Sequence, residues 1–277
     1  MDDRCLADVP SLCLVGAGKM GGAMLQGWIA NGLAPSAVTV LDPGLADDHA
    51  SEWKDLGVSV NPTLPVRTAK VIVLAVKPQI MGAVLEHTQK NFSFDAESLV
   101  VSVAAGWTIG NFETVLGEHA PIVRVMPNTP SAIGEGMLVG CANGVVSEQE
   151  KAIADSLMSS VGETAWIDDE ALMDAVTAVS GSGPAYVFYL AECLAAAGRD
   201  AGLPDDLAAK LAEATVSGAG ALIKASDDNP SELRINVTSP NGTTAAALDV
   251  LMADNGLGPL MRATVSAAAR RSRELAQ

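Results

Sequence analysis

Histidine, cysteine and aromatic side chains are all scarce in this 277-residue chain, with three His, four Cys and 4% aromatic residues. The cysteines (Cys5, Cys13, Cys141, Cys193) form no close pair and have no histidine beside them, which excludes a zinc-type spacing and a redox CxxC. No metal is expected, and reduced structural thiols are. Basic charge is also short: 17 Lys plus Arg stand against 33 Asp plus Glu, a net charge of −16, with no basic cluster. That balance argues against nucleic acid as a partner. Long apolar runs are missing, and MDDRCLADVP has neither the basic start nor the apolar run of a signal peptide. The expectation is a soluble, cytoplasmic protein with no membrane partner.

What is present is 49% hydrophobic residues in two contrasting patterns. From Ser11 to about Asp168 short β-branched runs alternate with helical segments: LCLVG, VTVLD, VIVLAV, LVVSVAA and PIVRVM read as strands. Helices are predicted near Lys19 to Asn31, Leu45 to Leu56, Gln79 to Gln89 and Ile109 to Leu116, with Gly32, Gly57 and Gly117 as stops. EGMLVGCANG adds an edge strand, Ser147 and Glu150 make a capping box, and ETAWIDD is a last strand. Past Asp168 only helical signals remain, at Glu170 to Ala178, Pro184 to Ala201, Asp205 to Lys224 and on both sides of Asn255 to Gly258. The predicted fold class is α/β. A Rossmann-type, doubly wound parallel-sheet domain over residues 1–167 is followed by an all-helical domain over 168–277. YVFYLAECLAAAG and LAEATVSGAGALI lack a polar face, so the helical half should bury surface against another subunit.

The chemistry-bearing motifs begin at Gly16-Ala17-Gly18-Lys19-Met20-Gly21, which follows a strand and opens a helix. Glycines there permit a tight turn, admit a pyrophosphate to the backbone, and aim helix N–H groups at its charge. About twenty residues on, Asp42 is open to two readings: a partner for the adenosine ribose diol, which favours NADH, or an Asp-Pro-Gly turn residue. Ligands of open parallel sheets sit outside the strand carboxyl ends, where AVKP (Ala75, Val76, Lys77, Pro78), VAAG (Val103 to Gly106) and MPNTP (Met126 to Pro130) fall. Ser180-Gly181-Ser182-Gly183-Pro184-Ala185-Tyr186 is a helix start whose glycines suggest a close approach. Val237-Thr238-Ser239-Pro240-Asn241-Gly242-Thr243-Thr244 leads into AAALDVLM, and a hydroxyl-rich helix N-terminus of this kind suits a small carboxylate. The N–H groups of Gly242 to Thr244 are the expected donors. His49, His87 and His119 all lie in or beside helices of the first half, so no strong side-chain acid is in evidence. A substrate protonated before it accepts hydride, such as a cyclic imine, suits such a site.

Together GAGKMG, AVKP, MPNTP, SGSGPAY and VTSPNGTTAAAL resemble pyrroline-5-carboxylate reductase, in the right order along essentially the whole chain. The resemblance implies reduction of 1-pyrroline-5-carboxylate to L-proline by NADPH or NADH, with a helical domain that interlocks into a homodimer and dimers that assemble into a ring. It implies cofactor contacts at Gly16, Gly18, Lys19, Met20, Ala75, Lys77, Pro78 and Ala105, with Asn236 reaching the cofactor from the helical domain, and it leans to NADPH where Asp42 leans to NADH; Ala17 and Val76 join the cofactor set by their place in the same two loops. It implies substrate contacts at Val237, Ser239, Gly242, Thr243 and Thr244, with Thr244 catalytic. The family's loop usually reads Ser-Pro-Gly-Gly, whereas this chain has Asn241 at the first glycine, a residue that tolerates left-handed backbone. A β-hydroxyacid dehydrogenase would need a lysine that GSGPAYVFYLAEC lacks. A non-catalytic dinucleotide-binding protein would have no use for the hydroxyl-rich loop.

Overall fold

The computed structural model describes Leu6 and residues 9–62, 69–91 and 98–275. Its eight strands are β1 (Leu12–Val15), β2 (Val38–Leu41), β3 (Ser59–Val60), β4 (Val71–Leu74), β5 (Leu99–Ser102), β6 (Ile122–Met126), β7 (Gly136–Ala142) and β8 (Gly162–Trp166). They form one sheet in the order β3-β2-β1-β4-β5-β6-β7-β8. Every neighbouring pair is parallel except β6 with β7, where Arg124 stands opposite Cys141.

Both faces of the sheet are covered, and the two-residue period of a strand explains how. On β1, Leu12 and Leu14 enter one apolar layer with Met24, Leu25 and Trp28 of α1 (Lys19–Ala30), Trp53 of α2 (Asp47–Asp55), and Leu157 of α5 (Glu148–Ser159). Cys13 and Val15 enter the other, with Met81 and Leu85 of α3 (Pro78–Asn91) and Phe112 of α4 (Ile109–Leu116). Trp28 donates its indole N–H to the Leu157 carbonyl at 2.9 Å, so α1 and α5 are joined by a bond as well as by packing. Burial pushes the Cys13 thiol up to about 12. The Cys141 thiol is also raised, first by burial and then by the charge of Glu170. Neither is poised as a nucleophile.

The chain divides into two compact units, residues 1–181 with 269–277 and residues 182–268. The division expected at 167/168 therefore lies later, and the reason is packing. The segment read as one helix from Glu170 to Ala178 is a 3₁₀ turn (Glu170–Leu172), a single α turn α6 (Met173–Val176) and a π turn (Thr177–Gly181). Met173 is buried in the second apolar layer. The Glu170 carboxylate accepts from the Ile109 N–H at 2.9 Å and from Arg124 at 2.8 Å, which fastens the segment to the sheet.

The second unit is helical, with α7 (Gly183–Asp200), α8 (Asp205–Ala225), α9 (Pro230–Asn236), α10 (Thr243–Leu251) and most of α11 (Leu257–Leu275). Gly202, at φ +97°, stops α7, and Gly198 lets α8 approach so that an added Cβ would lie 3.3 Å from the Ala208 Cβ. Only small alanines of this pair are buried: Ala195, Ala208 and Ala212. Among the described residues no helix is long and apolar enough to cross a membrane.

Candidate functional site

The strand order reverses at β1, which has β2 on one side and β4 on the other. Connections leave such a point in opposite directions and open a crevice at the strands' carboxyl ends. The glycine loop fills that position. Gly16 has φ +88°, and an added Cβ would lie 2.7 Å from Val76 and 2.9 Å from the Ala75 carbonyl. Gly21 passes equally close, since a Cβ there would overlap the Gly16 carbonyl oxygen. Gly18, by contrast, has open space where its Cβ would be, at the start of an α1 with no side-chain cap and no acid in its first turn. The N–H groups of the first α1 turn are left without internal acceptors in a positive helix-end field, so the loop fits a pyrophosphate.

The structure brings Gly16, Ala17, Gly18, Lys19 and Met20 together with Asp42 at the end of β2 and with Ala75, Val76, Lys77 and Pro78 after β4. A cavity of about 370 Å³ lies over the loop, lined in part by Lys19, Asp42, Leu45, His49 and Trp53. His49 and Trp53 escaped the sequence reading because nothing local marks them. They arrive on α2, whose seating depends on the β2–β3 crossover. Asp42 itself is more engaged than either reading of it expects. One carboxylate oxygen accepts from the Ala17 N–H at 2.8 Å and the other from the Gly44 N–H at 2.9 Å. The turn reading holds at Gly44, and the carboxylate, which lines the cavity, has further lone pairs to offer. Ala105 follows β5 beside Gly106, where an added Cβ would meet the Leu275 carbonyl at 3.0 Å.

In the second unit, α9 ends into a tight turn that opens α10. The Gly242 N–H donates to the Ser239 carbonyl at 3.0 Å across Pro240 and Asn241, and Asn241 adopts φ +57°. A type II turn requires a left-handed third residue, which Asn241 supplies, and favours Pro at the second position. A Cβ at Gly242 would displace the Ser239 hydroxyl and crowd the Ser239 carbonyl, 3.1 Å away. The expectation that N–H groups from Gly242 onward are free for a ligand needs one correction, because the Gly242 N–H closes the turn. The donors that helix geometry leaves without internal acceptors are those of Thr243, Thr244 and the next residue, and no side chain caps them. The hydroxyls of Ser239, Thr243 and Thr244 stand at this same end, and Val237 is exposed just before it. Asn236, for its part, spends its carboxamide on Asp228 at 3.1 Å.

Residues 170–275 match the family model described as pyrroline-5-carboxylate reductase dimerisation, and residues 11–106 match one described as NADP oxidoreductase coenzyme F420-dependent. The chain is 40% identical over 270 residues to pyrroline-5-carboxylate reductase of Pseudomonas aeruginosa, covering 97% of each chain. It is 38% identical to that of Pisum sativum over 98% of this chain and 97% of the relative. Among solved structures, a pyrroline-5-carboxylate reductase from Coxiella burnetii superposes with a TM-score of 0.88 at 36% identity, covering 98% of this chain and all of that one. The Plasmodium falciparum pyrroline carboxylate reductase, solved with NADP bound, gives 0.80 at 31% identity, covering 96% of this chain and 98% of that one.

Proposed function

The chain belongs to the pyrroline-5-carboxylate reductase family, and from that premise we propose how its residues divide the reduction of 1-pyrroline-5-carboxylate to L-proline by NADH or NADPH. The dinucleotide, when bound, supplies the hydride. Gly16 to Met20 hold its pyrophosphate at the head of α1, Asp42 faces the adenosine ribose, and Ala75 to Pro78 with Ala105 border it farther along the sheet edge. Asn236 is assigned to the same cofactor, at the cost of its bond to Asp228.

The observation that carries the substrate assignment is the Ser239–Gly242 turn at the uncapped start of α10. The substrate is a small anion with a basic ring nitrogen. Its carboxylate suits the N–H groups of Thr243 and Thr244 and the Ser239 hydroxyl, and the helix end adds favourable field. Val237 and Gly242 shape the loop around it. The ring nitrogen binds a proton in water, so the iminium N–H can donate to the Thr244 hydroxyl. The carbon next to it is then electrophilic enough to take hydride without a side-chain acid. This accounts for a site built of hydroxyls and backbone rather than histidine.

The helical unit's match to a dimerisation model fits a homodimer. Closure of dimers into a ring and a cytoplasmic location belong to the same reading.

The test is NADH or NADPH oxidation, followed by absorbance, with pyrroline-5-carboxylate as substrate. Thr244→Ala should lower kcat/KM by about tenfold to several hundredfold, the span of one charge-assisted hydrogen bond plus misplacement. Thr244→Ser should retain most activity, and dinucleotide affinity should hardly move in either. A Thr244→Ala enzyme with wild-type kcat/KM would reduce this residue to part of a helix start.

A further inference from the structure

Family membership does not decide which nicotinamide cofactor this chain prefers, and one relative was solved with NADP. Asp42, which lines the cofactor cavity, and Asn61, which is bonded to its main chain, bear on it. Asp42 stands where the adenosine ribose belongs, with both carboxylate oxygens held by the N–H groups of Ala17 and Gly44. Its main chain is held too. The β2–β3 ladder pairs Val40 with Val60 and then runs out of strand. Beyond it the Asn61 carboxamide takes over the pairing: its Oδ1 accepts from the Asp42 N–H, and its Nδ2 donates to the Asp42 carbonyl, both at 2.8 Å. Asn61 also donates its own N–H to the Val40 carbonyl at 2.9 Å and adopts φ +45°, a backbone that few residues other than glycine, Asn and Asp accept readily. A carboxamide has the donor and acceptor of a peptide group in the same plane, so Asn61 extends the sheet by one residue with its side chain. Asp42 is left with no inexpensive way to turn aside.

We propose that Asn61 is a positioning residue that locks Asp42, and that the locked carboxylate makes this enzyme select the dinucleotide without a 2′-phosphate. The proposal rests on the reductase reading above. A ribose diol donates two hydrogen bonds to lone pairs that Asp42 still has. A 2′-phosphate brings nearly two negative charges to a fixed one. The opening turn of α2 adds Asp47 and Asp48 nearby in sequence. Among the described residues lining the cavity the basic side chains are Lys19 and His49, with His49 lying 3.8 Å from Glu52. Lys19 opens α1, where the pyrophosphate is expected.

Equilibrium titration of the full chain with NADH and with NADPH, without substrate, reads the proposal directly. NADH should bind at least about tenfold tighter. Asp42→Ser should bring the ratio to about one or invert it. Asn61→Gly keeps the positive φ while deleting the carboxamide, and should reduce the ratio by about threefold or more, chiefly through weaker NADH binding. A general loss of stability would lower the melting temperature without changing the ratio of affinities. Wild-type protein that binds NADPH as tightly as NADH overturns the proposal, and an unchanged ratio in Asn61→Gly overturns the role of Asn61. Failure of the reductase reading itself would appear elsewhere, as no turnover of pyrroline-5-carboxylate with either cofactor.

Discussion

The two units solve the problem of apolar surface in opposite ways. In the first, Leu14, Trp28, Val73, Leu85 and Phe112 are fully buried by elements of the same unit. In the second, Phe188 is 61% exposed, Tyr189 66% and Val250 73%, while its buried residues are small. Patches of that kind on one chain mark surface meant for another molecule, and here the matched family is named for its dimerisation. The sheet unit is complete as one chain and holds the glycine loop proposed for the cofactor, whereas the helical unit leaves apolar surface for a second copy and holds the turn proposed for the substrate. Stability and activity should therefore respond to different kinds of mutation in each.

The strongest way to break this contrast is to place a charge on the exposed face of α7. Phe188→Asp would force a desolvated carboxylate into the subunit contact, at a cost of about 3 kcal/mol or more if no partner meets it. Light scattering should show monomers or aggregates, and turnover should fall by about a hundredfold or more, while NADH binding by the first unit persists. A dimeric, active Phe188→Asp protein would show that the contact lies elsewhere. The converse perturbation is Gly21→Ala, whose Cβ meets the Gly16 carbonyl oxygen and comes within 3.0 Å of the Ala75 Cβ. Either α1 or the glycine loop has to give way, and overpacking of this kind costs about 1 to 3 kcal/mol. Dinucleotide affinity should weaken by about thirtyfold, read by titration, with the dimer intact.

The same contrast explains what could be read from sequence. Helix α4 was predicted at its observed bounds because both ends are marked locally: the Thr108 hydroxyl accepts from the Asn111 N–H, and Gly117 stops the helix at φ +95°. The glycine loop and the Ser239–Gly242 turn were legible for the same reason, since each is a short stretch whose residue types dictate its backbone. Helix α9 was missed although Asn229, Pro230 and Glu232 spell a capping box with proline at the first position. That signal was there to be found. Strand β3 has only two residues and offers no periodicity. The 170–181 segment has helical composition but three helix types, because its path follows Glu170 and Met173 into the first unit. The Asp42–Gly44 bond follows from the Asp-Pro-Gly turn, whereas the bonds from Ala17 and Asn61 could not be read, as they join residues 25 and 19 positions apart through strands side by side.

The smallest expected effect separates backbone shape from side-chain identity in the substrate loop. Asn241 sits at the left-handed position of a type II turn, where glycine is the unstrained choice. Asn241→Gly relieves a modest conformational cost but frees the unfolded chain, and the two contributions of up to about 1 kcal/mol oppose each other. The melting temperature should move by no more than about 4 °C, and kcat/KM for pyrroline-5-carboxylate should stay within about twofold. Asn241→Val keeps a side chain but forces a β-branched residue to positive φ, at about 1 to 3 kcal/mol. The turn should open, the N–H groups of Thr243 and Thr244 should lose their aim, and KM should rise by about tenfold, with NADH affinity unmoved because Gly16 to Gly21 belong to the other unit. If Asn241→Gly instead lost tenfold in kcat/KM, the carboxamide would be touching substrate. The loop's specificity would then rest on a side chain and not on turn geometry alone.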